Sequence, residues 1–332
     1  MTPWLGTPAW MWLMFLTVVA ALLAFDLGVL TRRRARRAAA QDEEQTISVS
    51  SSLKLSAFYI ALALIFGGWI WFTLGAESGM AYLTGFAVEK ALALDNVFVI
   101  SVIFGALAIP RHLQHRVLFW GILGVIVLRG IMIGLGAALV TQFDWIMWIF
   151  GAFLLLTGVK LLFTKGGHDQ APDLERHPVV RALRRVMPIS PRLDGQKFLT
   201  RQPDAQGRVR VHATPLLLAL LMVEFADLVF AVDSIPAIFA ITQDPFIVYT
   251  SNIFAILGLR ALYFALDALI HRFSAMKPAL ALVLVFIGGK IFYSQFYGKL
   301  DPAVSLGVTL AILAGGVLVS LWRTRTAAQA AD

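Results

Sequence analysis

Nine apolar stretches, each close to the length that a membrane-crossing helix needs, constrain this 332-residue chain more than any other feature. A hydrocarbon core about 30 Å thick takes about 20 apolar residues per helix. The stretches fall near 9–30, 56–74, 80–108, 117–140, 145–163, 214–241, 247–270, 278–297 and 302–322. Charged residues make up only 14% of the chain, against about 25% in soluble globular proteins. The expected fold is an all-α polytopic membrane protein with about nine transmembrane helices.

A net charge of +8 would point to nucleic acid in a soluble chain, so the placement of the charges matters more than their sum. Of 28 Lys and Arg, 22 lie in alternate connections: 31–55, 109–116, 164–213, the turn holding Arg272 and Lys277, and the end holding Arg323 and Arg325. The opposite connections hold only Lys299. By the positive-inside rule the first set is cytoplasmic, which puts the N-terminus outside and the C-terminus inside. No basic residue precedes the first stretch and an Arg run (32–37) follows it, the charge order of a retained anchor. That run is read as a topology determinant in preference to a nucleic-acid or anionic-lipid site.

The expected organisation is an anchor helix with a basic segment (1–55), a peripheral helix (56–79), a three-helix repeat (80–163), a cytoplasmic loop (164–213), a second repeat (214–297), and a last helix with its tail (298–332). The loop is rich in Pro and Gly, with one short helix expected near 178–187.

Twelve charges remain inside the stretches: Lys90, Arg129, Lys160, Arg260 and Lys290, with Asp26, Glu89, Asp95, Glu224, Asp227, Asp233 and Asp267. Each costs about 2.5–3.5 kcal/mol at mid-membrane, so each needs a partner, water or a purpose. Asp26 and Asp267 lie near interfacial ends. The others repeat: Glu89 to Asp95-Asn96 matches Asp227 to Asp233-Ser234, Leu128-Arg129 matches Leu259-Arg260, and Gly158-Val159-Lys160 matches Gly288-Gly289-Lys290. Three helices per unit is an odd number, which implies an inverted repeat of the kind transporters use, with the substrate site between the halves.

Acids six residues apart stand about 120° apart on an ideal helix. Both reach one ion only if the helix breaks, and Pro236 is the expected break. Glu224 and Asp227 share a face at i and i+3. Carboxylates with Asn96 and Ser234 make an oxygen ligand set suited to Mn²⁺, Mg²⁺ or Ca²⁺. With no cysteine and all six histidines outside the spans, Zn²⁺ and Cu⁺ lack their usual ligands. The four bases Arg129, Lys160, Arg260 and Lys290 are expected to pair with the acids, either for structure alone or to stand in for the cation. Five bases facing five acids give no net positive field for an oxyanion.

At Glu89-Lys90-Ala91-Leu92-Ala93-Leu94-Asp95-Asn96 and Asp227-Leu228-Val229-Phe230-Ala231-Val232-Asp233-Ser234-Ile235-Pro236-Ala237 the chain resembles the TerC family, over roughly 9–323. The resemblance implies a bacterial inner-membrane Mn²⁺ exporter with a historical association with tellurite resistance. It also implies Glu89, Asp95, Asp227 and Asp233 as metal-site residues, with Asn96 and Ser234 beside them. Proton exchange is chemically natural for such a site. The competing expectation is an interaction scaffold or insertion factor linked to tellurite or stress resistance, without transport of its own. No intramembrane enzyme motif is present, no resident cofactor is expected, and the anticipated partners are Mn²⁺, protons and the bilayer.

Overall fold

The computed structural model describes residues 3–4, 7–39, 49–143, 145–163, 178–203, 209–266, 276–298 and 300–329. The long helices are α1 (Ala9–Ala39), α2 (Val49–Leu74), α3 (Ala76–Ala106), α4 (Arg111–Gln142), α5 (Ile146–Phe163), α7 (Pro215–Phe239), α8 (Pro245–Leu257), α9 (Leu259–Leu266), α10 (Met276–Tyr297) and α11 (Pro302–Gln329). Between α5 and α7 lie the short α6 (Pro178–Val186) and an antiparallel hairpin of β3 (Leu199–Pro203) and β4 (Val209–Ala213). Two dipeptide strands, β1 (Pro3–Trp4) and β2 (Thr7–Pro8), pair ahead of α1.

Among the described residues, seven helical stretches are long and apolar enough to cross a membrane: Ala9–Asp26, Ser52–Leu74, Arg111–Gln142, Ile146–Phe163, Pro215–Phe239, Pro245–Phe264 and Pro302–Ser320. The other two of the nine expected stretches are also helical, as α3 and α10. α3 carries Glu77, Glu89, Lys90 and Asp95, and the apolar part of α10 is the shorter Pro278–Ser294. The expected short helix at 178–187 is α6, whereas the hairpin was not anticipated. Alternation over five residues at a Pro-rich loop edge is a weak signal.

Pro245–Phe264 is 88% buried, against 22–39% for the other six stretches. A helix apolar all round is stable only inside a bundle, and α8 is the helix the rest surround. Asp244 caps it, accepting from the Phe246 and Ile247 amides at 2.9 and 3.4 Å, with Pro245 pre-set for the first turn. α8 packs on α3 and α4, α4 on α7, and α5 runs along α10. α2, expected at the periphery, lies against α3, α8 and α9.

The α5–α10 contact is built from glycine and is reciprocal. A Cβ on Gly158 would stand 2.9 Å from the Ala281 carbonyl and the Val285 amide, seven and three residues before Gly288. A Cβ on Gly288 would stand 3.0 and 2.9 Å from the Gly151 carbonyl and the Leu155 amide, seven and three residues before Gly158. Lipid gives no hydrophobic drive between helices, so close backbone approach at small residues supplies the packing.

Two expectations about the helices are corrected. α7 runs through Pro236 to Phe239 without interruption. A proline three residues before the end removes one hydrogen bond, from the Val232 carbonyl, and the chain turns off immediately after it. The interruption falls instead at Gly258, between α8 and α9. There Lys90 Nζ donates to the Ala255 carbonyl at 3.1 Å, the carbonyl that an unbroken helix would give to the Leu259 amide. A Cβ on Gly258 would stand 2.9 Å from that Nζ and 3.1 Å from Tyr59 Cβ, so glycine allows the approach.

Candidate functional site

Where α3, α4, α7 and α8 meet, Arg129 is 1% exposed and every nitrogen of its guanidinium is engaged. Nε and Nη2 form a fork on Asp227, at 3.1 Å to Oδ2 and 2.9 Å to Oδ1. Nη1 pairs with Glu89 Oε1 and also reaches Asn252 Oδ1 at 2.8 Å and Ser234 Oγ at 3.3 Å. Asn96 Nδ2 donates to Asp227 Oδ1 at 3.5 Å. This geometry uses arginine's planar fork, which a lysine point charge cannot reproduce.

The local reason is helical register. Glu89 and Asn96 are seven apart on α3, and Asp227 and Ser234 are seven apart on α7, so each pair falls on one face two turns apart. Two matching faces thus meet across one guanidinium. Seven is the spacing of the side chains seen to meet here. The side chains of Asp95, Asp233 and Arg260 lie outside the described residues.

Glu89 and Asp227 share Arg129, and Glu224 stands one turn before Asp227 with its carboxylate against the Cα of Gly124 on α4. Gly124 makes room for it, since any Cβ there would overlap the carboxylate. Several buried polar atoms have no hydrogen-bond partner among the described residues: Glu89 Oε2, Asn96 Oδ1, Glu224 Oε2 and Asn252 Nδ2. Three of these four are oxygen acceptors. Beside them is a small cavity lined by Asn96 and Asp227 and walled by Leu118, Ile122, Val223 and Leu259. Among the described residues, no three of His, Asp and Glu converge on one point, and Arg129 sits between Glu89 of α3 and Asp227 of α7.

Neither lysine expected to serve these acids is seen at the cluster. Lys160 is exposed in the last turn of α5, and half-buried Lys290 donates to Ser305 Oγ on α11 at 3.0 Å. Each lies two residues past an interface glycine, about 200° round its helix and so facing away from the α5–α10 contact. Asn252 was missed in the sequence. Its signal was Thr250-Ser251-Asn252, three polar residues within the otherwise apolar α8, all fully buried.

A bundle of long apolar helices enclosing a hydrogen-bonded Arg–carboxylate cluster defines a multi-pass integral membrane protein with a buried polar centre. The profile of the integral membrane protein TerC family matches residues 74–328, and the chain belongs to that family. It is 44% identical to an uncharacterized membrane protein of Myxococcus xanthus over 98% of this chain and 96% of that one. It is 43% identical to an uncharacterized membrane protein of Rickettsia felis, over 94% and 97%. It is 44% identical to a protein of Escherichia coli (strain K12) named "Putative membrane-bound redox modulator Alx", over 96% and 95%. No solved structure gives a significant match.

Proposed function

We propose that this protein is a secondary transporter that moves a hard divalent cation, foremost Mn²⁺, out of the cytoplasm in exchange for protons. The observation carrying this reading is the pair of buried carboxylates, Glu89 and Asp227, held on Arg129 among the described residues, with the Glu224 carboxylate one turn before Asp227. Unpartnered oxygens on Glu89, Asn96 and Glu224 support the same reading. Buried anionic oxygen at membrane depth is expensive unless a cation or proton joins it. Carboxylate and amide oxygens favour Mn²⁺, Mg²⁺ and Ca²⁺ over softer ions.

Arg129 then acts as a tethered cation. With cargo absent it occupies Glu89 and Asp227; cargo entry requires it to release at least one of them. Such a group has two arrangements with different net charge, as alternating access needs. The reciprocal α5–α10 contact supports the inverted-repeat reading of 80–163 and 214–297, and the charge asymmetry of the connections supports an inner-membrane orientation with the N-terminus outside. On this reading the chain is not an enzyme.

The test is uptake of Mn²⁺ by protein reconstituted in liposomes under an imposed pH gradient, with Mg²⁺ and Ca²⁺ as competitors. Wild type should accumulate Mn²⁺, while Asp227→Asn and Glu89→Gln should not. Transport at wild-type rates by both variants would overturn the assignment. A second reading, a membrane-bound interaction scaffold, is favoured by the folded segments 178–203 and 209–213 between α5 and α7. It requires partner capture that survives both substitutions and is lost on removal of the hairpin.

A further inference from the structure

The β3–β4 hairpin has two unlike faces. Thr200 and Gln202 hold one face to the preceding loop, through Thr200 Oγ1 on Asp194 at 2.8 Å and Gln202 Nε2 on Ser190 Oγ at 3.1 Å. The other face shows Leu199, Val211 and Val209, which are 46%, 44% and 68% exposed. Arg201 pairs across from Val211 on this same face and is also exposed. Three apolar side chains turned outward while the polar face is bound inward is the reverse of a solvated hairpin.

The hairpin is joined rigidly to a spanning helix. Thr214 stands at the N-cap position of α7 without a side-chain capping bond; its Oγ1 donates instead to the Lys197 carbonyl at 2.8 Å, with the Phe198 carbonyl at 3.0 Å. The Ala213 amide donates to the Pro188 carbonyl at 2.9 Å, and the Ser190 amide donates to the Ala213 carbonyl at 2.8 Å. A strand rises about 3.3 Å per residue, so Val211 stands within about 13 Å of the first turn of α7. The polar headgroup layer adds about 5–8 Å beyond the hydrocarbon on each side of a bilayer. Nearby α6 buries Val180 and Leu183 against the protein and shows Arg181, Arg184, Arg185 and the 77% exposed Val186.

We infer that the Leu199–Val209–Val211 face of the hairpin, with Arg201 and the arginines of α6, seats on anionic lipid at the bilayer surface around α7. The occupant is argued from charge. Among the described residues of 178–213, seven Lys and Arg stand against Asp194 alone, complementary to anionic headgroups, and arginine can keep its head at phosphate level while its stem lies along apolar surface.

The chain has no cysteine, so Val209→Cys, Val211→Cys and Arg210→Cys each give one attachment point for an environment-sensitive fluorophore. Arg210 lies on the hairpin's other face and is exposed. Single copies would be placed in nanodiscs of phosphatidylcholine alone or with phosphatidylglycerol. In anionic discs, labels at 209 and 211 should be quenched by nitroxide-bearing lipid and be several-fold less accessible to iodide than the label at 210. Arg201→Gln should weaken that protection in anionic discs and change little in neutral ones. Equal iodide access at 209 and 210 overturns the inference. So does protection without lipid quenching, which would point to a protein partner on this face.

Discussion

Around Leu128-Arg129 the chain is one unbroken helix of 32 residues; around Leu259-Arg260 it is two helices, of 13 and 8 residues, parted at Gly258. The first lies partly against lipid and the second is almost wholly enclosed. Two copies of a charged motif therefore need not have two copies of its surroundings. In α4, small Gly124 admits the Glu224 carboxylate. In α8 and α9, Gly258 admits the Lys90 ammonium. The glycines serve opposite charges, whereas the α5–α10 contact keeps the reciprocity that duplication suggests.

The largest expected effect is at Arg129. Arg129→Met leaves two buried carboxylates without their partner and should cost about 3–5 kcal/mol in detergent unfolding. Lys290→Met loses one bond to Ser305 and should cost about 1 kcal/mol. Equal losses would mean that the buried cluster is no more demanding than the periphery.

Gly158→Ala and Gly288→Ala should each destabilise by about 1–3 kcal/mol, and by similar amounts, since both place a methyl on the facing backbone. A large inequality between them would break the reciprocity. Gly124→Ala should cost a comparable amount by displacing Glu224. The double variant with Glu224→Ala should recover most of it, a coupling that a double-mutant cycle measures.

Gly258→Ala should be milder, below about 1.5 kcal/mol. Its backbone is already helical, at φ −83° and ψ −1°, so alanine's helix preference offsets part of the crowding. The closest atom is the far end of Lys90, so adding Lys90→Ala should relieve part of the cost, and Tyr59 Cβ at 3.1 Å accounts for the rest. If Gly258→Ala equals Gly124→Ala in effect, the two glycines are more alike than the packing indicates.

The smallest effect concerns the hairpin. The Thr200 hydroxyl and the Lys197 ammonium hold the exposed Asp194 carboxyl below its ordinary range. A depressed carboxylate stabilises the fold above its unfolded-state pKa, and that contribution is lost as pH falls through the lowered folded value. Hydrogen-exchange protection at Thr200 and its neighbours, taken relative to the intrinsic exchange rate at each pH, should therefore fall on acidification, and Asp194→Asn should flatten the dependence.

The helices were legible because a bilayer imposes one length and one polarity on every crossing element. The acids were legible because charge inside such stretches is rare. Which of them share Arg129 was not, since that depends on the faces that α3, α4 and α7 turn toward one another. Lys160 and Lys290 matched each other as well as the arginine positions did, yet two residues past an interface glycine is the wrong side of the helix. Composition and charge order by themselves determined a multi-pass membrane chain with a repeated set of buried charges, because desolvation acts on each residue locally. Tertiary structure alone decided that one guanidinium binds Glu89, Asp227, Ser234 and Asn252 together, and that the helix interruption falls at Gly258, because both depend on which faces four separate helices turn toward one another.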